Sequence, residues 1–169
     1  MSEMRIGVIA DTHGYFDPKV RNIFAGVDAI LHGGDIGNMD VIRSLKEIAP
    51  VHAVRGNHEP DEVIEAFPDR QMQMTLGGKR FILSHGFITF DWSFFERMAP
   101  LYRDLFEKLH TDALIFGHSH FPQNRVYQGI LFFCPGYAGE NVREPGRAVG
   151  ILTILGSPGG EISGEIIPL

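Results

Sequence analysis

Short apolar runs that stop abruptly at a polar residue constrain the fold of this chain more than any other feature. The first run, Ile6-Gly7-Val8-Ile9-Ala10, is followed at once by Asp11-Thr12-His13, and an apolar run followed by Asp, Asn or His recurs four times. Runs of this length with such stops are typical of buried strands. In open α/β sheets, functional residues collect beyond the carboxyl ends of the strands. The pattern therefore predicts an α/β protein whose polar segments meet at one sheet edge.

The first half of the chain alternates strands with helices. Its apolar spacing and capping residues predict a strand at Arg5–Ala10, a helix at Pro18–Ala25 with Asp17 as N-cap, a strand at Ala29–His32, a helix capped by Asp40 and ending at Ile48, and a strand at Val51–Val54. Alternation of this kind indicates parallel strands joined by right-handed crossovers.

The second half is richer in hairpins. The predicted strands are Gln71–Leu76 with Arg80–Ser84, then Ala113–Phe116, Arg125–Tyr127 with Ile130–Cys134, and Val149–Leu155 with Glu161–Ile167; a helix is predicted to start at Pro100. We therefore expect an early, mainly parallel sheet and a late, more antiparallel one. Packed face to face with helices outside, these two mixed sheets form a four-layer α/β/β/α sandwich, a single domain over residues 1–169.

Composition excludes several classes of protein. The net charge is −6 and no Lys/Arg cluster forms a basic face, which disfavours binding to long nucleic acids. The one cysteine, Cys134, allows neither an internal disulfide nor a cysteine-based zinc site. The N-terminal residues lack the layout of a signal peptide, and no apolar run approaches the length of about 18 residues that spans a membrane. We expect a cytoplasmic protein without a membrane partner.

The polar segments carry the donor atoms of a metal site. They are Asp11-Thr12-His13, Gly34-Asp35, Gly56-Asn57-His58-Glu59, His85-Gly86 and Gly117-His118-Ser119-His120. Carboxylate, imidazole and amide groups are good ligands for divalent metal ions. Each segment alone is a weak signal, but all five in this order, each after an apolar strand, are a strong one.

This set of motifs resembles the calcineurin-like metallophosphoesterases, whose pattern is D-x-H, G-D, G-N-H-[DE], H and G-H-x-H. The resemblance extends from Arg5 to about Ile154, and the short length is similar to that of the YfcE-like branch of small phosphodiesterases. It implies a hydrolase with two divalent metal ions, manganese or nickel before zinc or iron. The expected reaction is hydrolysis of small phosphodiesters by attack of a metal-activated hydroxide.

The resemblance also implies a role for each residue. The first ion would be held by Asp11, His13 and His120, the second by Asn57, His85 and His118; Asp35 would bridge the ions, and His58 would be the catalytic residue beside the substrate. A carboxylate can bridge because it has two oxygens, and a neutral amide limits the negative charge of the site.

Neighbouring residues give further expectations. Glu59 is expected to orient His58, and Gly34, Gly56, Gly86 and Gly117 are expected to leave room beside the ligands. His32, His52 and His110 lie outside the motifs and are expected to be structural.

Three features leave alternatives open. Arg55 either contacts substrate phosphate or merely ends a strand. The aromatic stretch from Phe87 to Phe95 is either core or, in the favoured interpretation, a cap over the site or a dimer contact. The branch commonly has Asn-Pro-Gly-Ser where this chain has Cys134-Pro135-Gly136-Tyr137, so a substrate contact there is in doubt.

The expected partner is a small phosphodiester, with a nucleotide and a homo-oligomer left open. The alternative function is that of a non-catalytic, metal-binding scaffold for other proteins, as in the small subunit of the retromer coat, which shares the implied fold. Because that subunit has lost the histidine equivalent to His58 and this chain has kept it, the enzyme is favoured.

Overall fold

A computed structural model describes residues 3–86, 110–141, 145–156 and 158–169, together with Arg97 and Lys108. Within these residues the strands are β1 (Glu3–Ile9), β2 (Ala29–His32), β3 (Val51–Ala53), β4 (Gln71–Leu76), β5 (Lys79–Ser84), β6 (Ala113–Phe116), β7 (Gln123–Tyr127), β8 (Ile130–Cys134), β9 (Ala148–Leu155) and β10 (Glu161–Pro168). The helices are α1 (Lys19–Ile23), α2 (Met39–Lys46) and α3 (Asp61–Ala66). None of the described helices is both long enough and apolar enough to cross a membrane.

The strands form two mixed sheets of five strands each, which confirms the predicted fold class. Their orders are β10-β9-β1-β2-β3 and β4-β5-β6-β8-β7. The division into a parallel and a more antiparallel sheet was wrong, because the last hairpin joins the first sheet through antiparallel pairing of β9 with β1. Each sheet has two parallel and two antiparallel pairs.

The main core lies between the two sheets. Its buried residues include Ile6 and Val8 of β1 and Leu83 and Phe133 of the second sheet. Residues spaced two apart share one face of a strand, so the apolar runs supply this interior from both sides. Two glycines of the last hairpin leave room for the Phe133 ring, since a Cβ at either Gly150 or Gly164 would lie within 2.6 Å of it.

The three helices belong to the layer on the outer face of the first sheet. Val41, Ile42 and Leu45 of α2 are buried there. Asp40 is not the cap of α2: the helix begins one residue earlier, and Asn38 Oδ1 accepts the Val41 N–H at 3.1 Å. The N-cap of α1 is Pro18 and not the predicted Asp17, because the helix begins at Lys19. Asp17 Oδ1 still accepts the Lys19 N–H at 2.9 Å.

Two sequence expectations lie outside the described residues. These are the helix predicted to start at Pro100 and the aromatic stretch from Phe87 to Phe95. In the described part, α3 was not predicted, since its six residues follow Pro60 without a strong apolar period. The five polar segments follow β1, β2, β3, β5 and β6, so the sheet topology brings the carboxyl ends of these strands together.

Candidate metal centre

Seven of the eight predicted site residues form two adjacent groups of potential ligands. The first group is Asp11, His13 and His120; the second is Asp35, His85 and His118, with Asn57 in contact with His85. Within each triad the ligand atoms lie within 4.8 Å of one another. The eighth residue, His58, lines the cavity beside both groups. The fold thus brings the five segments to one place, while their roles as ligands stay a prediction.

In the second group, electron-rich atoms converge on His85 Nε2. The other ring nitrogen, Nδ1, lies 2.8 Å from the carbonyl oxygen of Gly33, which can only accept, so Nδ1 carries the proton. In the neutral ring Nε2 is therefore unprotonated. It lies 2.9 Å from Asn57 Oδ1, 3.3 Å from His118 Nδ1 and 3.4 Å from Asp35 Oδ1. These are distances at which donor atoms share one positive charge, either a proton on His85 Nε2 or a metal ion.

The first group combines buried and solvent-exposed ligands, as does the second with its exposed His118 and Asn57. His120 Nε2 lies 3.2 Å from Asp11 Oδ1, and the rings of His13 and His120 meet edge to face with centroids 5.8 Å apart. Asp11 is fully buried, whereas the side chains of His13 and His120 are 33% and 25% exposed.

Asp35 lies between the groups, with one oxygen toward each. Its Oδ2 is 3.7 Å from His13 Nε2, and its Oδ1 is 3.4 Å from His85 Nε2. The same Oδ1 accepts the backbone N–H groups of Asn57 at 2.9 Å and of His58 at 3.1 Å. This is the position that a carboxylate shared by two ions must occupy.

The electrostatics of the second group favour a positive charge at this place. Burial raises the pKa of Asp35, but the hydrogen-bonded His85 ring and then the His58 N–H hold it well below its usual range. Burial lowers the pKa of His85, but Asp35 and the Gly33 carbonyl raise it above the ordinary value. A positive charge is thus favoured where these donor atoms converge, whether a proton on His85 or a metal ion supplies it.

Backbone strain is concentrated in the same residues. Of the seven non-glycine residues with positive φ in the described chain, five are predicted ligands: Asp11, His13, Asp35, His118 and His120. A side chain in this left-handed region costs free energy, and such residues cluster at functional sites. The loops therefore adopt a costly backbone conformation at the residues whose side chains form the two groups.

Three of the four motif glycines make room for ligand side chains. A Cβ at Gly56 would lie 2.0 Å from Asp35 Oδ1, one at Gly34 would lie 2.5 Å from His85 Nδ1, and one at Gly117 would lie 2.9 Å from Asp11 Oδ2. Gly86 differs, because its Cβ would approach His118 no closer than 3.9 Å, an ordinary contact. The expectation of crowding was wrong for this glycine.

Both groups fit a divalent cation. With metal–ligand bonds of about 2.1 Å, neighbouring ligands of one ion lie about 3.0–3.4 Å apart. The donor pairs around His85 and between His120 and Asp11 are spaced by 2.9–3.4 Å. The mixed nitrogen and oxygen donors suit manganese, iron, nickel or zinc.

A cavity of about 440 Å³ opens over both groups. It is lined by His13, Asp35, Asn57, His58, His118, His120, Tyr137 and Asn141. Neither Tyr137 nor Asn141 was among the predicted site residues, although the motif position of Tyr137 departs visibly from the branch pattern. Arg55 does not line this cavity; its Nε donates to the Pro68 carbonyl at 2.7 Å, which favours the strand-end interpretation.

Glu59 has a different role from the one expected. Its carboxylate accepts the backbone N–H groups of Ile36 at 2.8 Å, Gly37 at 2.9 Å and Gly56 at 2.9 Å. It therefore ties the loop that carries Asp35 to the loop that carries Asn57. Orientation of His58 by Glu59 finds no support in these contacts.

His32 is buried below the site and joins two of its loops. Its Nδ1 accepts the Gly34 N–H at 3.2 Å, so Nε2 carries the proton and donates to Thr12 Oγ1 at 3.0 Å. The Thr12 hydroxyl in turn donates to the Ile36 carbonyl at 2.9 Å. Burial lowers the pKa of His32 to about 3, which keeps the ring neutral. Its place directly before Gly33-Gly34-Asp35 was the one sequence signal for this role.

Comparisons with solved structures agree with this architecture. A zinc complex of Vps29 from Entamoeba histolytica is similar over 98% of this chain and 99% of its own, with a TM-score of 0.68 and 22% identity. An archaeal phosphodiesterase is similar over 97% of this chain and 100% of its own, also with a TM-score of 0.68 and 22% identity. At this identity the two likenesses show the fold.

Sequence relatives carry the comparison further. Probable metallophosphoesterases of Methanothermobacter thermautotrophicus and Methanocaldococcus jannaschii are 32% and 33% identical to the chain over 138 residues, which are 79% of this chain and 76% and 67% of theirs. The calcineurin-like phosphoesterase superfamily domain matches residues 4–156 and so includes all five segments. Because this match covers most of the chain and includes both ligand groups, the chain belongs to the calcineurin-like phosphoesterase superfamily.

Proposed function

We propose that the protein is a dinuclear metal-dependent phosphodiesterase that hydrolyses small phosphodiesters. The observation that carries the proposal is the convergence of donor atoms from Asp35, Asn57 and His118 on His85 Nε2, next to a second ligand group that shares Asp35. A site of this kind binds two ions at the base of one cavity, and the family supplies phosphoester hydrolysis as its reaction class.

Most of the site residues would bind the metal ions, and His58 would contact the substrate. Two bound divalent ions would supply Lewis acidity, which lowers the pKa of a shared water and offsets charge on the phosphoryl oxygens. Asp11, His13 and His120 would hold one ion, Asn57, His85 and His118 the other, and Asp35 both.

His58 is the proposed catalytic residue. It lines the cavity, and its backbone N–H donates to Asp35 Oδ1, which fixes the position of His58 relative to the shared carboxylate. An imidazole here can donate a hydrogen bond to a phosphoryl oxygen or a proton to the leaving oxygen, since histidine is the side chain that most often serves as a general acid.

The charge of the cavity wall supports a diester substrate. No Lys or Arg is among the described residues that line it. A phosphomonoester dianion brings one more negative charge than a diester, and the described part of the wall offers no Lys or Arg to meet it. The volume of about 440 Å³ suits a small substrate such as a nucleotide.

The remaining details of the proposal rest on the sequence. Manganese and nickel are the first metals to test, with zinc and iron next. A cytoplasmic location agrees with a single, fully buried cysteine, Cys134, whose pKa burial raises to about 12.

The likeness to Vps29 supports a second candidate, a metal-binding scaffold for protein partners. The two functions separate in one experiment. Protein stripped by chelator is assayed with a chromogenic phosphodiester and the matching monoester, each with manganese, nickel, zinc or magnesium, as wild type and as His58→Ala. We expect metal-restored hydrolysis that favours the diester and falls by about 10²-fold or more in His58→Ala.

The matched control is His52→Ala, which removes a histidine from β3 outside both ligand groups. It should keep wild-type activity. Two ions bound per chain without turnover on any metal would contradict the enzyme and favour the scaffold, whereas faster monoester hydrolysis would contradict the diester preference alone.

A further inference from the structure

We propose that Tyr137 is a positioning residue that holds His13 and His120 for the ion of the first group. The inference rests on the proposed function, since it assumes that this group binds an ion. The Tyr137 ring centroid lies 4.9 Å from that of His120 and 5.8 Å from that of His13. Tyr137 is only 2% exposed, so its ring forms a buried wall behind two partly exposed histidines.

The first group needs such a wall because its histidines are less constrained than His85. In the second group, the hydrogen bond from Nδ1 to the Gly33 carbonyl fixes the ring of His85. The rings of His13 and His120 instead contact each other, a carboxylate each, and Tyr137. An aromatic ring at these distances restricts ring rotation by packing and adds the attraction of a tilted aromatic pair.

The backbone of Tyr137 is fixed on both sides. Its carbonyl accepts the Ala148 N–H at 2.9 Å, and the next residue, Ala138, donates to the Ala10 carbonyl at 3.2 Å, directly before Asp11. The phenol end fits against Gly139, where a Cβ would lie 2.2 Å from the hydroxyl oxygen. The segment is therefore tied to the strand end from which the first group projects.

Arg147 connects this segment to the loop after His13. Its Nε donates to the Gly139 carbonyl at 2.5 Å, and its Nη2 donates to Asp17 Oδ2 at 2.7 Å. Its guanidinium also lies over the Tyr15 ring, 5.1 Å from the centroid. The guanidinium thus joins the two chain segments that supply Tyr137 and His13 through a partly buried ion pair.

The test measures metal binding rather than turnover. Chelator-stripped wild type, Tyr137→Ser and Tyr137→Phe are titrated with Mn²⁺ by calorimetry, and each titration is repeated in a His13→Gln background, which removes the first site. In Tyr137→Ser we expect the dissociation constant of the first site to rise 10- to 100-fold, with the second within about threefold. Tyr137→Phe keeps the ring and should bind like wild type at both sites.

A merely structural role would give a different result. Phe67→Ala, which removes a partly buried ring that packs against the outer core, is the matched control for lost stability. It should lower the melting temperature while leaving both dissociation constants unchanged. Two ions bound by Tyr137→Ser with wild-type constants, or an equal weakening of both sites, would overturn this inference alone. A wild type that bound no Mn²⁺ would overturn the proposed function and this inference with it.

Discussion

The two ligand groups are held in place by different means. In the second group, Asp35 and His85 are 3% and 5% exposed, and each is fixed by hydrogen bonds to backbone groups of neighbouring loops. In the first group, only Asp11 is fully buried, and the two histidines lie against an aromatic wall. Fixed donors lose little entropy on binding, so the second group is the better prepared site.

This difference predicts an order of metal affinity. A cation at the second group meets donor atoms that are already 2.9–3.4 Å apart, and of its two histidines only His118 is exposed. A cation at the first group must restrict two histidines that both reach into solvent. We therefore expect a tight second site and a weaker, exchangeable first site, joined through Asp35.

The largest effect should come from Asp35→Asn, which removes the element common to both groups. An amide cannot place a negative charge between two cations, so both affinities should fall and diesterase activity should decrease by about 10³-fold or more. Steady-state kinetics with Mn²⁺ and metal analysis of the dialysed protein measure the two effects.

Asp40→Asn is the matched control, since Asp40 is an exposed carboxylate whose described partner is the exposed Arg43. It should leave metal content and activity unchanged. Two ions retained by Asp35→Asn would show that the two groups bind their ions independently and that Asp35 does not connect them.

The next effect separates the groups from each other. His13→Gln and His85→Gln should each leave one strong site, but not the same one. The ion kept by His13→Gln occupies the hydrogen-bonded second group, so its dissociation constant should be at least about tenfold lower than that of the ion kept by His85→Gln. Calorimetric titration of both variants with Mn²⁺ gives the two dissociation constants. A lower constant for the ion kept by His85→Gln would show that the first group is the tighter site.

A smaller effect is expected from Glu59→Ala, which removes the carboxylate that holds the Asp35 and Asn57 loops together. Three backbone N–H groups lose a charged acceptor. The free energy of unfolding, measured by urea denaturation of the metal-free protein, should fall by about 1–3 kcal/mol. Glu65→Ala on the exposed face of α3 is the control and should change it by no more than about 0.5 kcal/mol. An equal loss of unfolding free energy in both variants would show that Glu59 does not stabilise these loops.

The ligand groups could be predicted from sequence because each ligand follows a strand within a short local motif. Asp11 and His13 directly follow β1, and Asp35 follows β2 after two glycines. A strand fixes where its carboxyl end lies, and parallel neighbours bring those ends together, so position along the chain was enough. For the same reason most predicted strands agree with the observed ones to within two residues.

The supporting contacts could not be predicted because they depend on which loops meet. Glu59 stands in a recognised motif, yet its partners Ile36 and Gly37 are more than twenty residues away. Pairing of the last hairpin with β1 is equally nonlocal, since a hairpin pattern states only that its own two strands pair. The cap of α2 was misplaced because Asn38 and Asp40 are both good caps, and only the folded loop selects Asn38.

The smallest effect concerns His32, which joins the Thr12 loop of the first group to the Gly34 loop of the second. Because its folded pKa is about 3, below the unfolded value near 6.5, the unfolded chain binds more protons between these pH values. The stability from His32 is therefore complete above pH 6.5 and is lost progressively toward pH 3. Between pH 6.5 and 5.5 this loss amounts to about 1 kcal/mol.

His32→Gln isolates this contribution, since an amide can accept from Gly34 and donate to Thr12 without titrating. Urea unfolding of both metal-free proteins gives the difference in stability at each pH. His13, whose pKa is lowered mainly by burial, adds a slope of the same sign, and His85, whose pKa is raised, adds the opposite one. Both are common to the two proteins and cancel in the difference. The wild type should lose about 1 kcal/mol more than His32→Gln between pH 6.5 and 5.5. Parallel curves would mean that His32 titrates in the folded protein, and the two groups would then lack a fixed neutral junction beneath them.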